Sequence, residues 1–95
     1  MSVSKCFAFL EKGRLELAER AFDKAVSSFT SGIGVVRDDK DFLAQAHLLR
    51  GFALDLLSQR NFAIQEYQAV LALPNVEESH RDASRFSKVP YQGRL

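Results

Sequence analysis

The chain has no tryptophan and, among its 95 residues, only one cysteine, one methionine, two prolines and two histidines. Each scarcity closes off a class of function. A lone Cys6 cannot form an intrachain disulfide, so a reducing compartment is the simplest home, and as a small apolar residue it is expected to pack rather than react. One cysteine with His47 and His80 cannot supply the paired-ligand spacing of a zinc site, and no metal or cofactor is expected. Two prolines leave long stretches free to propagate helix. No apolar run approaches the roughly 20 residues of a membrane span. The opening segment MSVSKCFAFLEKGR has one short apolar patch, broken by charge from Glu11 onward, which is too short for a signal-peptide core. A soluble, cytoplasmic protein without membrane partners is expected. Charge of one sign is also lacking. The formal net charge is +1, which creates no field to draw in nucleic acid or an anionic surface.

What is present is helical periodicity. Phe7, Leu10, Leu15 and Leu17 are apolar positions of a first helix expected over about Val3 to Glu19. Arg20 and Ala21 read as a tight connection. A second helix from Phe22 to about Val35 carries Phe22, Ala25, Val26, Phe29 and Ile33 on one face. The polar run RDDKD, residues 37–41, is expected as a loop in which Asp39 or Asp41 caps a third helix. That helix, to about Leu57, is apolar over most of its circumference and should be central. Asn61 is the expected cap of a fourth helix stopped by Pro74, and Asn75 the expected cap of a fifth, with Glu78 completing a capping box.

A small-residue signature occurs twice. Gly13, Phe22, Ala25 and Phe29 form the first copy; Gly51, Ala63 and Tyr67 form the second, 38 residues on. In each, alanine follows glycine by 12 positions and an aromatic follows the alanine by four. Self-similarity at a fixed interval, joined to helical patterning, marks an α-helical repeat. On these residues, with Pro74 near the end of copy two, the chain resembles the tetratricopeptide repeat family, whose period is roughly 34 residues. Lys12 and Arg50 depart from the family's usual leucine before the glycine, and Arg60 replaces the turn aromatic in copy two.

The resemblance implies an all-α fold: two antiparallel helical hairpins stacked with right-handed superhelical twist, plus a C-terminal capping helix. Repeat one is expected over about 6–37, repeat two over about 44–74, and the capping helix and tail over 75–95, all one domain. It also implies a concave groove lined by the first helix of each repeat. By register, copy one offers Phe7, Leu10, Arg14 and Leu17, and copy two offers Gln45, Leu48, Phe52 and Asp55. The expected function is non-catalytic binding of a protein or peptide, as adaptor, scaffold or co-chaperone-like module. The alternatives are a small catalytic or accessory protein whose site the sequence does not advertise, and an oligomerisation domain. The carboxylate clamp of chaperone-binding members is not matched, because Leu10, Arg14 and Leu49 occupy its positions.

Other patterns weigh less. Gly32-Ile33-Gly34 is half a dinucleotide fingerprint without its third glycine or preceding strand, and reads as a close-packed helix end. Asp38, Asp39 and Asp41 lack the glycine and terminal glutamate of a calcium loop. Ser27, Ser28, Thr30 and Ser31 have no neighbouring base. The tail is mildly basic through Arg81, Arg85, Lys88 and Arg94, without the aromatic platform that would suit nucleic acid. Two repeats are fewer than the about three a stable stack usually needs, so self-association or docking onto a larger partner is expected.

Overall fold

The computed structural model describes residues 3–93, with side chains from Ala8 onward; Phe7 and Cys6 as side chains, and Arg94, lie outside the described residues. Five helices account for the described chain: α1 (Val3–Ala18), α2 (Phe22–Val35), α3 (Lys40–Leu56), α4 (Arg60–Leu71) and α5 (Glu77–Lys88). The fold is all-α. Each helix packs on the next in sequence, while α1 touches α3 and α3 touches α5. Thus α1, α3 and α5 form one layer, and α2 and α4 the other.

The repeated signature has a direct physical meaning. Phe29 of α2 lies over Gly13 of α1 so closely that a β-carbon on Gly13 would overlap its ring. In the second hairpin a β-carbon on Gly51 would come 2.5 Å from Cε1 of Tyr67. Both aromatics are fully buried, as are Ala25 and Ala63, four residues before them. Glycine removes the atom that would hold the helices apart, the aromatic fills the space, and the alanine lets the second helix settle. Phe22 is half-buried under the Arg20 guanidinium, 5.1 Å from the ring centroid. Pro74 is exposed, just beyond the end of α4.

The turns repeat as well. Arg20 and Ser58 both have φ of 61°, in the left-handed region. Around Arg20, the Ala21 amide donates to the Glu16 carbonyl at 2.8 Å and the Arg20 amide to that of Leu17 at 3.0 Å. Around Ser58, Gln59 donates to Leu54 at 2.8 Å and Ser58 to Asp55 at 3.0 Å. This is the paired closure of a Schellman turn, achieved without its usual glycine.

Capping differs from expectation at two helices. Asp39 caps α3, accepting from the Phe42 amide at 3.0 Å. Asn61 does not cap α4, because the Ser58 turn leads straight into a helix starting at Arg60, with Gln59 at the N-cap and no side-chain cap bond. Asn75 does not cap α5 either. It takes φ of 59° in the connecting turn, a conformation asparagine tolerates, and buried Val76 occupies the N-cap.

Helix α3 is central. Phe42, Ala46 and Ala53 join a core with Leu10, Ala25, Phe29 and Val36, while Ala44, Leu48, Phe52 and Leu54 join another with Tyr67, Val70, Ala83 and Phe86. Gly32 presses on Phe42 and Phe9, whereas a β-carbon on Gly34 would meet nothing within 4 Å. The glycines therefore separate by substitution. G13A and G51A should each cost about 1–3 kcal/mol in urea unfolding through overpacking. G34A should be neutral or stabilising by up to about 1 kcal/mol, since alanine is the better helix former. S58G should stabilise by about 0.5–1 kcal/mol by relieving the left-handed turn.

Candidate functional site

The exposed edges of α1, α3 and α5 enclose a cleft of about 630 Å³. Its floor is Leu48, Leu49 and Phe52 of α3, with Val76 beside them; Arg14 of α1 closes one side, and Asp41 and Gln45 stand at the α3 rim. The far wall comes from the turn before α5 and its first turns: Asn75, Glu77, Glu78, Ser79 and Asp82. The Arg14 guanidinium donates to Oε1 of Gln45 at 2.9 Å across the gap between α1 and α3.

Of the eight residues expected in the groove, Arg14, Gln45, Leu48 and Phe52 line this cleft. Leu10 is buried in the core under α1, and half-buried Leu17 packs against the same cluster. Phe7 lies outside the described side chains. Asp55 is sequestered, its side chain only 1% exposed. Phe52 is only 5% exposed, because α5 and the tail cover it. Tyr91 stacks on its ring at 3.9 Å between centroids, and Phe86 meets it edge-on at 5.2 Å.

Asp55 is the polar centre of that cover. Its carboxylate accepts from the Tyr67 hydroxyl at 2.6 Å, from Arg60 Nη1 at 3.0 and 3.1 Å, and from the Tyr91 amide at 3.0 Å. Arg60 Nη2 donates onward to the Ser87 carbonyl at 3.0 Å. One buried carboxylate thus joins α3, α4, the end of α5 and the tail. Burial pushes the Tyr67 hydroxyl well above the usual tyrosine range, and the Asp55 hydrogen bond and charge push it further. Burial raises Tyr91 as well.

A second polar network crosses between the layers. Lys12 and Arg50, the cations preceding each repeat glycine, both bond to the partner helix of their own hairpin. Lys12 Nζ donates to Ser28 Oγ at 3.2 Å and pairs with Glu16 at 3.4 Å. Arg50 Nε donates to Glu66 at 2.8 Å, and its Nη1 reaches Thr30 Oγ1 of the first hairpin at 2.9 Å. His47 Nδ1 shares the Glu66 carboxylate at 2.8 Å. The Ser28 hydroxyl donates to Glu16, which lowers that carboxyl's pKa against the opposing effect of burial, with Lys12 adding to the depression. The His80 ring bonds the Leu73 carbonyl, closing the turn between α4 and α5. Among the described residues no group of three or more histidine, cysteine and acidic side chains is arranged to hold a metal ion.

The α5 wall was not expected from the sequence. Glu77, Glu78 and Asp82 look like ordinary solvent-facing positions on a short helix, and only the docking of Phe86 and Tyr91 onto Phe52 turns them toward α3. The Lys12 and Arg50 networks had a readable signal: a cation recurs at one register position, 16 residues before Ser28 and Glu66 respectively.

Comparison with known proteins yields no match for this chain among family models, curated proteins or solved structures.

Breaking the Asp55 centre should loosen α5 before the rest. D55A should cost about 2–4 kcal/mol, since it leaves Arg60, Tyr67 and a backbone amide without their acceptor. Hydrogen exchange should then rise first in α5 and at Tyr91. The tyrosines set an alkaline limit. Their folded pKa values lie above the unfolded value of about 10, so stability is intact below that pH. As pH climbs past it, the unfolded state loses the proton first and stability falls. Y67F should flatten this loss in an alkaline urea series.

Proposed function

We propose that this protein is a non-catalytic binding module of tetratricopeptide type, holding a protein or peptide partner in the cleft between α1, α3 and α5. The observation that carries this reading is the open cleft itself. It combines an apolar floor with hydrogen-bonding groups at its rim, Arg14 and Gln45, on the layer formed by the first helix of each hairpin. Stacked helical hairpins characteristically present such a surface to other polypeptides. The right-handed twist of the stack belongs to the same proposal.

Support also comes from how the reactive side chains are used. Asp55, Glu66, Glu16, His47 and His80 all serve contacts that hold helices together. None of them lines the cleft. The cleft is lined instead by Asp41, Glu77, Glu78 and Asp82, with no histidine, cysteine or lysine among its lining residues. Among the described residues no helix is long and apolar enough to cross a membrane. Large exposed apolar side chains, Leu15, Val35, Phe62, Leu71 and Val89, are spread over α1, α2, α4 and the tail. A homo-oligomer would have to gather these dispersed positions, so the cleft is the preferred binding surface.

Q45W should test the reading, because it fills the cleft from a half-buried rim position without entering the core. In affinity capture, Q45W should lose partner bands that K24E, far from the cleft on α2, retains, with both variants melting like the parent. Partners held equally by Q45W would place binding elsewhere. Substrate turnover by the purified chain would decide for an enzyme.

A further inference from the structure

The charge of the cleft departs sharply from that of the whole chain. Overall the protein is nearly neutral, yet four carboxylates line the cleft, Asp41, Glu77, Glu78 and Asp82, against the single cation Arg14. Arg14 is engaged with Gln45. Among the described residues, none of the four carboxylates makes an ion pair, whereas Glu16, Asp55 and Glu66, which hold helices together, all do. Glu77 and Glu78 stand in the first turn of α5 and Asp41 in that of α3, where the positive helix end tolerates them. Asp82 has no such partner, being a turn further along.

We propose that the cleft accepts a basic segment of a partner protein: a lysine- or arginine-rich stretch with an apolar side chain that enters above Leu49, the half-buried residue of the floor. The inference rests on reading the cleft as the partner site and adds the chemistry of the partner. The four carboxylates are spread along two helices and do not converge on one point, so they suit several cations on a chain rather than one ion. Each cation would meet a carboxylate beside a low-dielectric floor, where the attraction exceeds that at an open surface. The same field repels phosphate, so nucleic acid and anionic lipid are disfavoured. Arg14 would turn a basic ligand away from the α1 end and set its position between α3 and α5.

Random peptides displayed on phage and selected on the intact protein provide the probe. The selected pool should be enriched in lysine and arginine together with an apolar residue. A synthetic peptide from that pool should bind about tenfold more weakly to E78K and to D82K, with unchanged melting. Its affinity for the parent should fall as salt shortens the Debye length from ~10 Å at 0.1 M to ~3 Å at 1 M. That salt series needs no variant, so it decides the matter even if a reversal unfolds the chain. A pool of neutral or acidic peptides displaced by Q45W would overturn the basic class while leaving the cleft as a peptide site. Selection of no peptide sensitive to Q45W would overturn both. A second copy could also offer cations, through exposed Arg81, Arg85 and Lys88 of α5. Dimerisation in sedimentation equilibrium, abolished by R85E and by D82K alike, would assign the cleft to self-association and overturn the partner proposal.

Discussion

Everything in this fold depends on two places where a helix backbone is bare enough for an aromatic ring to lie against it. At Gly13 and Gly51 the absent β-carbon is what allows Phe29 and Tyr67 into full burial. The aromatic then fixes the distance between the two helices of its hairpin, and α3, shared between both cores, carries that spacing from one hairpin to the next. Side-chain packing at native density leaves no slack for a methyl group at either point. The left-handed turns at Arg20 and Ser58 follow from the same demand. A hairpin whose helices approach this closely must reverse direction within a few residues, and in both hairpins a non-glycine residue accepts the strained φ to do so.

The two hairpins share this frame but differ in what they place on it. In the second, the residues after Gly51 are Phe52 and, four along from the glycine, Asp55. In the first, the corresponding residues are Arg14 and Leu17. Phe52 and Asp55 recruit Tyr91, Phe86 and Arg60, and the second hairpin is thereby sealed. Among the described residues Arg14 bonds only Gln45, and no comparable cover lies over the first hairpin on that side. The cleft exists because of this asymmetry: one end is closed by the chain's own C-terminal segment and the other is not.

Helix order, the central place of α3, a cap for α3 at Asp39 or Asp41 and the glycine–aromatic pairs were all legible in the sequence, since each depends on neighbours within one helix or on a spacing that recurs; the structure selects Asp39. Phe52 and Asp55 show where such reading stops. Their register correctly placed them on the layer of first helices, but their burial depends on Tyr91, 36 residues beyond Asp55, and on a backbone amide no pattern marks. Asn61 and Asn75 looked like caps because asparagine suits caps and left-handed turns equally. At Asn75 the left-handed turn prevails over the cap, with Val76 drawn into the core at the N-cap position. Lys12 and Arg50 looked like departures from the family pattern. They also form a matched pair, each bonding its own hairpin's second helix at the same register.

The position of α5 also explains why its charges are sorted. Ala83 and Phe86 must face Phe52 and Tyr67, because they are the buried residues of that helix. With 3.6 residues per turn, Glu78 and Asp82 then fall on the flank beside that buried edge, with Arg85 further along the same row over the Phe86 ring at 5.2 Å, while Arg81 and Lys88 point away from the core. Asp55 fixes the far end of the helix through Arg60 and Ser87, so it cannot rotate to exchange these flanks. A carboxylate buried in the second hairpin therefore determines which charges border the cleft. The sign of the cleft is a consequence of the packing register of α5, and it holds even though the chain as a whole carries almost no net charge.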